Sequence, residues 1–201
     1  MENSPARRVP SHGTHLFGVT YAIDFVAVDE HGRSAPRSWR ALLATERPER
    51  CQGFGLPVLT PATGVVVLTH DGEPDHEARR SQLALLTYAL GQAKRVRAGP
   101  APVAGNHVVI GLGRQGAFVL LAHLRRGSVR VAPGDGVAPG EPVGECGNSG
   151  NSTDPHVHVQ VTASTDWPTA RGLPLAFRRP SGGVGEVPWV PAEAEIVTVT
   201  G

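Results

Sequence analysis

The chain is short of cysteine, of net charge and of long apolar runs. Only Cys51 and Cys146 are present in 201 residues, which excludes a disulfide framework and leaves room for one bridge that spacing cannot assign. Lys+Arg 19 against Asp+Glu 18 leaves a formal charge of +1. No electrostatic case for a nucleic-acid partner or an acidic membrane arises from that balance. The longest apolar run is the six residues 117–122 (AFVLLA), far below the roughly 20 needed to span a bilayer, so no membrane span is expected. The opening residues, MENSPARRVPSHG, lack the apolar middle of a secretory signal, and by sequence alone the chain reads as cytoplasmic.

What is present is glycine, proline and histidine. Gly 25 and Pro 18 make up about a fifth of the chain, which interrupts structure too often for a helical bundle. Hydrophobic residues at 40% with charged residues at 18% supply enough apolar surface to fold and too little charge for disorder. The length suits a single domain with a full core. Nine histidines are the unexplained excess.

Strand signals dominate. Residues 19–28 (VTYAIDFVAV) and 57–69 (PVLTPATGVVVLT, with Gly64 as a turn signal) are rich in β-branched side chains. Residues 106–112 (NHVVIGL) and 117–124 (AFVLLAHL) flank GRQG, which reads as a hairpin connection. Further strands are expected at 128–131, 142–145, 156–162 and 195–200, joined by turn-dense segments such as APGDGVAPGE and CGNSGNSTDP. The expected class is therefore mainly all-β, a compact two-sheet sandwich or barrel. One surface helix breaks the pattern at 77–96, where proline is absent and Leu83, Leu86 and Leu90 recur at helical spacing. The organisation expected is one domain over 1–201, with a core at about 12–162, a helix-bearing insertion at about 76–105 and a Pro/Gly-rich extension at 163–201.

The chemistry concentrates in histidines. On a strand, His156 and His158 in HVH project from one face roughly 6.5–7 Å apart, a spacing that suits a metal ligand and a partner beside it. A surface pair is the blander reading, but here a Gly/Ser-rich turn leads directly into the strand. His123 ends the apolar strand LLAHL. Upstream, SHGTHLFGVTYAIDF supplies His12, His15 and Asp24. A carboxylate in the apolar context YAIDF is costly unless paired or bound to a cation. His31, His70 and His76 fall in turn-like sequence and are read as ordinary; His107 opens a strand and is expected to face solvent, with lining of the cleft the alternative. Cys146 reads as a small buried residue.

Taken in order, H…YAIDF, PVLTPATGVVV, GNHVVI, LLAHL and VAPGDGVAPGEPVGECGNSGNSTDPHVHVQV resemble the lysostaphin/LytM-type zinc metalloendopeptidases. The resemblance runs from about His12 to Val161, roughly three quarters of the chain. It implies the duplicated hybrid motif fold, one Zn2+ per chain and a site assembled from these residues. The zinc would be held by the histidine of the H…D pair, by Asp24 and by His158, with His123 and His156 as catalytic histidines beside it; Asn106 would be a structural position. The chain departs from the short family form, which has three residues between His and Asp, because Thr20 stands at that place. His15, nine positions before Asp24, is the expected first ligand through its shorter reach, with His12 the alternative.

The implied activity is zinc-dependent metalloendopeptidase, a peptide-bond hydrolase whose substrate is a peptide of bacterial peptidoglycan, in the stem or the cross-bridge. The family context implies the cell envelope or the exterior, against the missing signal segment. The rival reading is a catalytically inactive relative that serves as a binding or regulatory module for cell-wall enzymes. Such relatives typically lack ligands, whereas Asp24, His123, His156 and His158 occur together here.

Overall fold

A computed structural model describes residues 1–36, 45–79, 100–113, 116–178 and 188–198. Eight strands occur among them: β1 (Ile23–Phe25), β2 (Pro57–Leu59), β3 (Gly64–His70), β4 (Asn106–Leu112), β5 (Ala117–Leu124), β6 (Gly136–Val137), β7 (Pro142–Glu145) and β8 (Val157–Thr162). Six form one sheet in the order β1-β8-β5-β4-β3-β6, and β2 pairs with β7 in a second; every pairing is antiparallel. The mainly β, two-sheet class read from the turn-dense sequence is the architecture observed.

Alternation along the strands separates two faces. Ile23, Val66, Val108, Ile110, Leu121 and Val159 pack on one face against Val58 and Val143 of the small sheet. Each such side chain contributes about 1.5–3 kcal/mol by leaving water. The opposite face carries Val109, Leu120 and Ala122 beneath Ala104 and Trp167. Asp24, His158 and Gln160 also belong to that second face, because their strand neighbours Ile23 and Val159 belong to the first.

The hairpin of β4 and β5 matches the two apolar runs around GRQG. Elsewhere the strand signals overreach. The stretch 19–28 shrinks to three-residue β1, because Leu16–Tyr21 coils as a 3-10 segment in which Phe17 (φ 56) and Gly18 (φ 78) turn left-handed. Residues 128–131 follow a turn and form no strand, although the Arg130 amide still donates to Val143 O. Residues 195–198 are likewise not a strand. Of the helix expected at 77–96, residues 80–96 lie outside the described residues, and Ala78 instead bridges Glu46 in extended pairing. A five-residue helix, α1 (Pro100–Ala104), leads into β4.

The segment after β8 folds back onto the sheet. Gly172 bridges Thr162, Leu173 donates to Val161 O, and Phe177 bridges Trp189. Residues near 193 then meet the N-terminus: Glu193 accepts from the Ser4 amide at 2.8 Å and the Ala194 amide donates to Met1 O. Glu2 bridges Asp24, so the outer edge of β1 is paired. Cys51 and Cys146 are both buried and are not joined in a bridge, and burial pushes the Cys146 thiol up to about 12.

Candidate metal centre

Three antiparallel strands bring the site together. β1 pairs with β8 so that Asp24 lies opposite His158, and β8 pairs with β5 so that His158 lies opposite Ala122. His123 joins this row through a bulge. Asn106 opposes Leu124 while His107 opposes Ala122, leaving His123 as the extra residue, with φ 64. Strict alternation would send residue 123 toward the first core and 124 toward the site. The left-handed residue reverses that assignment, so Leu124 packs in the core and His123 lines the cleft with Ala122.

His12 comes from a closed loop. The Ser11 amide donates to Thr20 O and Ser11 Oγ to Val19 O, so residues 12–18 bulge outward from a base at 11 and 20. His12 sits at that base and His15 near the tip. His15 is exposed, with Nδ1 bonded to Thr20 Oγ1 at 3.1 Å. Of the two candidates, His12 is the histidine beside Asp24: His12 Nε2 lies 3.2 Å from Asp24 Oδ2. His158 Nδ1 lies 2.9 Å from Asp24 Oδ1. One donor atom from each of His12, Asp24 and His158 falls within 4.8 Å of the others. Donors held at about 2 Å around one tetrahedral ion lie roughly 3.3 Å apart, so this set needs little closing to share an ion.

Hydrogen bonds fix which imidazole nitrogen faces inward. Ser11 Oγ lies 3.0 Å from His12 Nδ1 and 3.2 Å from Val19 O, so Nδ1 is held on the hydroxyl and Nε2 turns to Asp24. His123 Nδ1 donates to Ser149 O at 3.0 Å, and His156 Nδ1 donates to Asp154 O at 2.8 Å. In His158 the outward nitrogen is Nε2, bonded to Gln160 Oε1 at 2.9 Å. Each ring thus spends one nitrogen on the surrounding protein, and in His123, His156 and His158, whose partners are oxygens that only accept, the other nitrogen is left as an acceptor in the neutral ring. His158 faces a carboxylate that also only accepts. Acceptor against acceptor is repulsive unless a proton or a metal cation lies between them, and this donor set is one that zinc takes.

Electrostatics agree with the geometry. Burial alone would raise Asp24, but His156, His12 and His158 hold its carboxyl well below the usual range. Burial first, then His156 and His158, push His123 far below an ordinary imidazole, so it is neutral. Burial also lowers His12. For His158, burial is outweighed by Asp24 and its pKa rises. Around this centre lies a cleft of about 470 Å3 whose walls include Phe17, Val103, Leu120 and Trp167.

Some contacts carry no signal that sequence reasoning read. Asn3 Nδ2 donates to Asp24 Oδ2 at 2.8 Å from the chain's start. Gln160 could have been found, since the period of two that pairs His156 with His158 also places residue 160 on that face. His107, expected at the surface, is 1% exposed beneath Trp167. Asn106 is fully buried, and its amide accepts from Gly72 and Glu73 and donates to Glu73 O and Leu124 O.

Residues 84–169 match the family model for peptidase family M23. The matched stretch holds His123, His156 and His158; His12 and Asp24 precede it. The M23 match agrees with the resemblance carried by the motifs, and it makes a peptidase the supported class. The comparison with curated protein sequences returns no match. Among solved structures, the chain is similar to the catalytic domain, in variant form, of the prophage-encoded M23 protein EnpA from Enterococcus faecalis. That likeness has 21% identity over 60% of this chain and 68% of the other, with a TM-score of 0.39. It is similar to the catalytic domain of the antimicrobial peptidase lysostaphin from Staphylococcus simulans at 21% identity, covering 59% of this chain and 68% of that one, with a TM-score of 0.39. A zinc-containing peptidase from Vibrio cholerae is similar at 18% identity over 71% of this chain and 37% of that one, with a TM-score of 0.38.

Proposed function

We propose that the protein is a zinc-dependent metalloendopeptidase, with His12, Asp24 and His158 as the metal ligands and His123 and His156 as the catalytic histidines. The observation that carries the reading is the inward orientation of four imidazole nitrogens around Asp24, each ring braced through its other nitrogen. Bound by two imidazoles and a carboxylate, zinc would keep a position open, polarise a scissile carbonyl and make a water acidic. The chain's own residues supply the rest. His123 and His156 stack at 4.7 Å between ring centroids on one side of the centre, and neither is needed as a ligand. Neutral His123 is able to accept a proton from an attacking water. His156, whose Nδ1–H stays on Asp154 O, presents Nε2 to the same space and, once protonated, is able to hydrogen-bond a developing oxyanion or protonate a leaving amine. The two roles are interchangeable on present geometry. Phe17, Val103, Leu120 and Trp167 give the cleft beside the centre apolar walls.

The substrate proposed is a peptide bond of bacterial peptidoglycan, and this part rests on the motif resemblance and the M23 match. Among the described residues no helix is long and apolar enough to cross a membrane; the site of action proposed is the cell envelope or the exterior.

The test is metal analysis of protein purified without added zinc and then supplied with it, paired with release of free amines from purified cell walls. About one zinc per chain is expected in the wild type, lost in His12→Ala, Asp24→Ala and His158→Ala and kept in His15→Ala. Wild-type protein that takes up no zinc overturns the metal reading. Zinc uptake with no amine released from walls or model peptides overturns the enzyme reading and leaves a binding module.

A further inference from the structure

The side chain of Gln160 joins two parts of the site that are far apart in sequence. It lies on β8 two residues beyond His158 and is 2% exposed. Its Nε2 donates to Phe17 O at 2.9 Å, and its Oε1 lies 2.9 Å from His158 Nε2. The Phe17 carbonyl can only accept, so the amide nitrogen must face it and the amide oxygen must face His158. An amide oxygen also only accepts, so His158 Nε2 must carry hydrogen. In the neutral ring, Nδ1 is then the nitrogen with the lone pair, and that nitrogen is the one beside Asp24.

The anchor of this relay is itself over-determined. Phe17 (φ 56, ψ 18) and Gly18 (φ 78, ψ 14) form consecutive left-handed residues, which aim the Phe17 carbonyl at the sheet. The turn lies hard against β8 and the segment after it. A Cβ on Gly18 would fall 2.5 Å from Thr162 Cγ2, and one on Gly172 would fall 2.4 Å from Gly18 O. The same loop holds His12 at its base through Ser11.

We propose that Gln160 is the positioning residue of the metal centre: by bridging Phe17 O and His158 Nε2 it locks His158 with Nδ1 presented to the ion and ties it to the loop that carries His12. This rests on the ligand set proposed above. The two histidine ligands, drawn from opposite parts of the chain, are thereby oriented by one hydrogen-bonded loop. Partners of this kind, which hold the non-ligating nitrogen of a histidine, typically change metal affinity about ten- to a hundred-fold when lost.

The experiment uses the full chain and two variants. Gln160→Met keeps the length of the side chain without either hydrogen bond; Gln160→Glu keeps an acceptor for His158 and loses the donor to Phe17 O. Zinc affinity is read by chelator competition, and the His158 tautomer by nitrogen-15 NMR of the zinc-loaded protein. Expected are a wild type with His158 protonated at Nε2 and ligated through Nδ1, a Gln160→Met variant about ten- to a hundred-fold weaker for zinc, and a Gln160→Glu variant that keeps the acceptor and loses less than Gln160→Met. Wild-type affinity in Gln160→Met overturns the proposal. If Gln160→Met does not fold, a loss of about tenfold or less in Gln160→Glu supports the proposal and a larger loss overturns it. Absence of zinc binding in the wild type instead overturns the ligand set, which keeps the two failures apart.

Discussion

At the scale of single residues, the division between ligand and catalytic histidine makes a sharp prediction. His123→Ala and His156→Ala should each retain about one zinc per chain and lose hydrolysis by about 10²- to 10⁴-fold, as removal of a general acid or base does; metal analysis beside amine release checks it. A loss of metal in either variant would move that histidine into the ligand set. His107 makes a different prediction. Burial drives its pKa down to about 4, with the Gly105 carbonyl opposing and His70 adding to the fall. Its Nδ1–H donates to Gly105 O, and Nε2 has no partner among the described residues, so a second proton would bury a charge with no acceptor there. The unfolded chain, with an ordinary imidazole, takes up that proton first as pH falls. The stabilisation is therefore complete above about pH 6.5 and is lost as pH drops toward 4, by an amount of the order of 3 kcal/mol. Melting temperatures of wild type and His107→Gln across pH 4–8 should differ in slope only in that window. The residues legible from sequence were those whose signal is local. His156 and His158 stood out through the period of two, and Asp24 through a charge among apolar neighbours. The choice of His12 over His15 was not legible, because it depends on Ser11 pairing with Thr20 and not on distance along the chain.

At the scale of elements, the turn before β8 is the most constrained piece. Gly105 (φ 62) ends α1, and Gly150 (φ 68) sits against it. A Cβ on Gly150 would lie 2.4 Å from Gly105 N and 2.6 Å from Val103 O. Its neighbour Ser149 supplies the carbonyl that orients His123 and the hydroxyl that accepts from the Asn106 amide. Gly150→Ala should therefore cost about 1–3 kcal/mol from crowding, with a further cost from the left-handed backbone. A denaturant midpoint measures the two costs together, and a fall in turnover beyond any loss of zinc would report displacement of His123. The hairpin of β4 and β5 was legible because both strands are apolar and the GRQG between them is a turn. The left-handed His123 was not, since any non-glycine residue argues against that conformation and only the pairing of Leu124 into the core reveals it. Residues 128–131 and 195–198 misled for the opposite reason: β-branched residues favour extension, but a strand also needs a partner edge along its length.

At the scale of the whole molecule, metal and fold should be coupled. An ion held by His12, Asp24 and His158 would bind the native state far better than the unfolded one, so zinc at about a thousand times its Kd would add about 4 kcal/mol of stability. The melting temperature should rise on zinc addition in the wild type and stay unchanged in Asp24→Ala; a rise of equal size in Asp24→Ala would place the ion elsewhere. The general architecture was legible in the sequence because turn-dense composition forces short strands. The way residues 163–178 and 188–198 wrap back to meet β8 and the N-terminus was not, because such contacts are set by tertiary packing rather than by local pattern. The pairing of β1 with β8 also sets an order in time. Asp24 Oδ1 and His158 Nδ1 lie 2.9 Å apart across 134 positions of chain, so a ribosome must release nearly all of the sheet before the candidate metal ligands can meet. The last sheet strand to emerge is the one that completes the set.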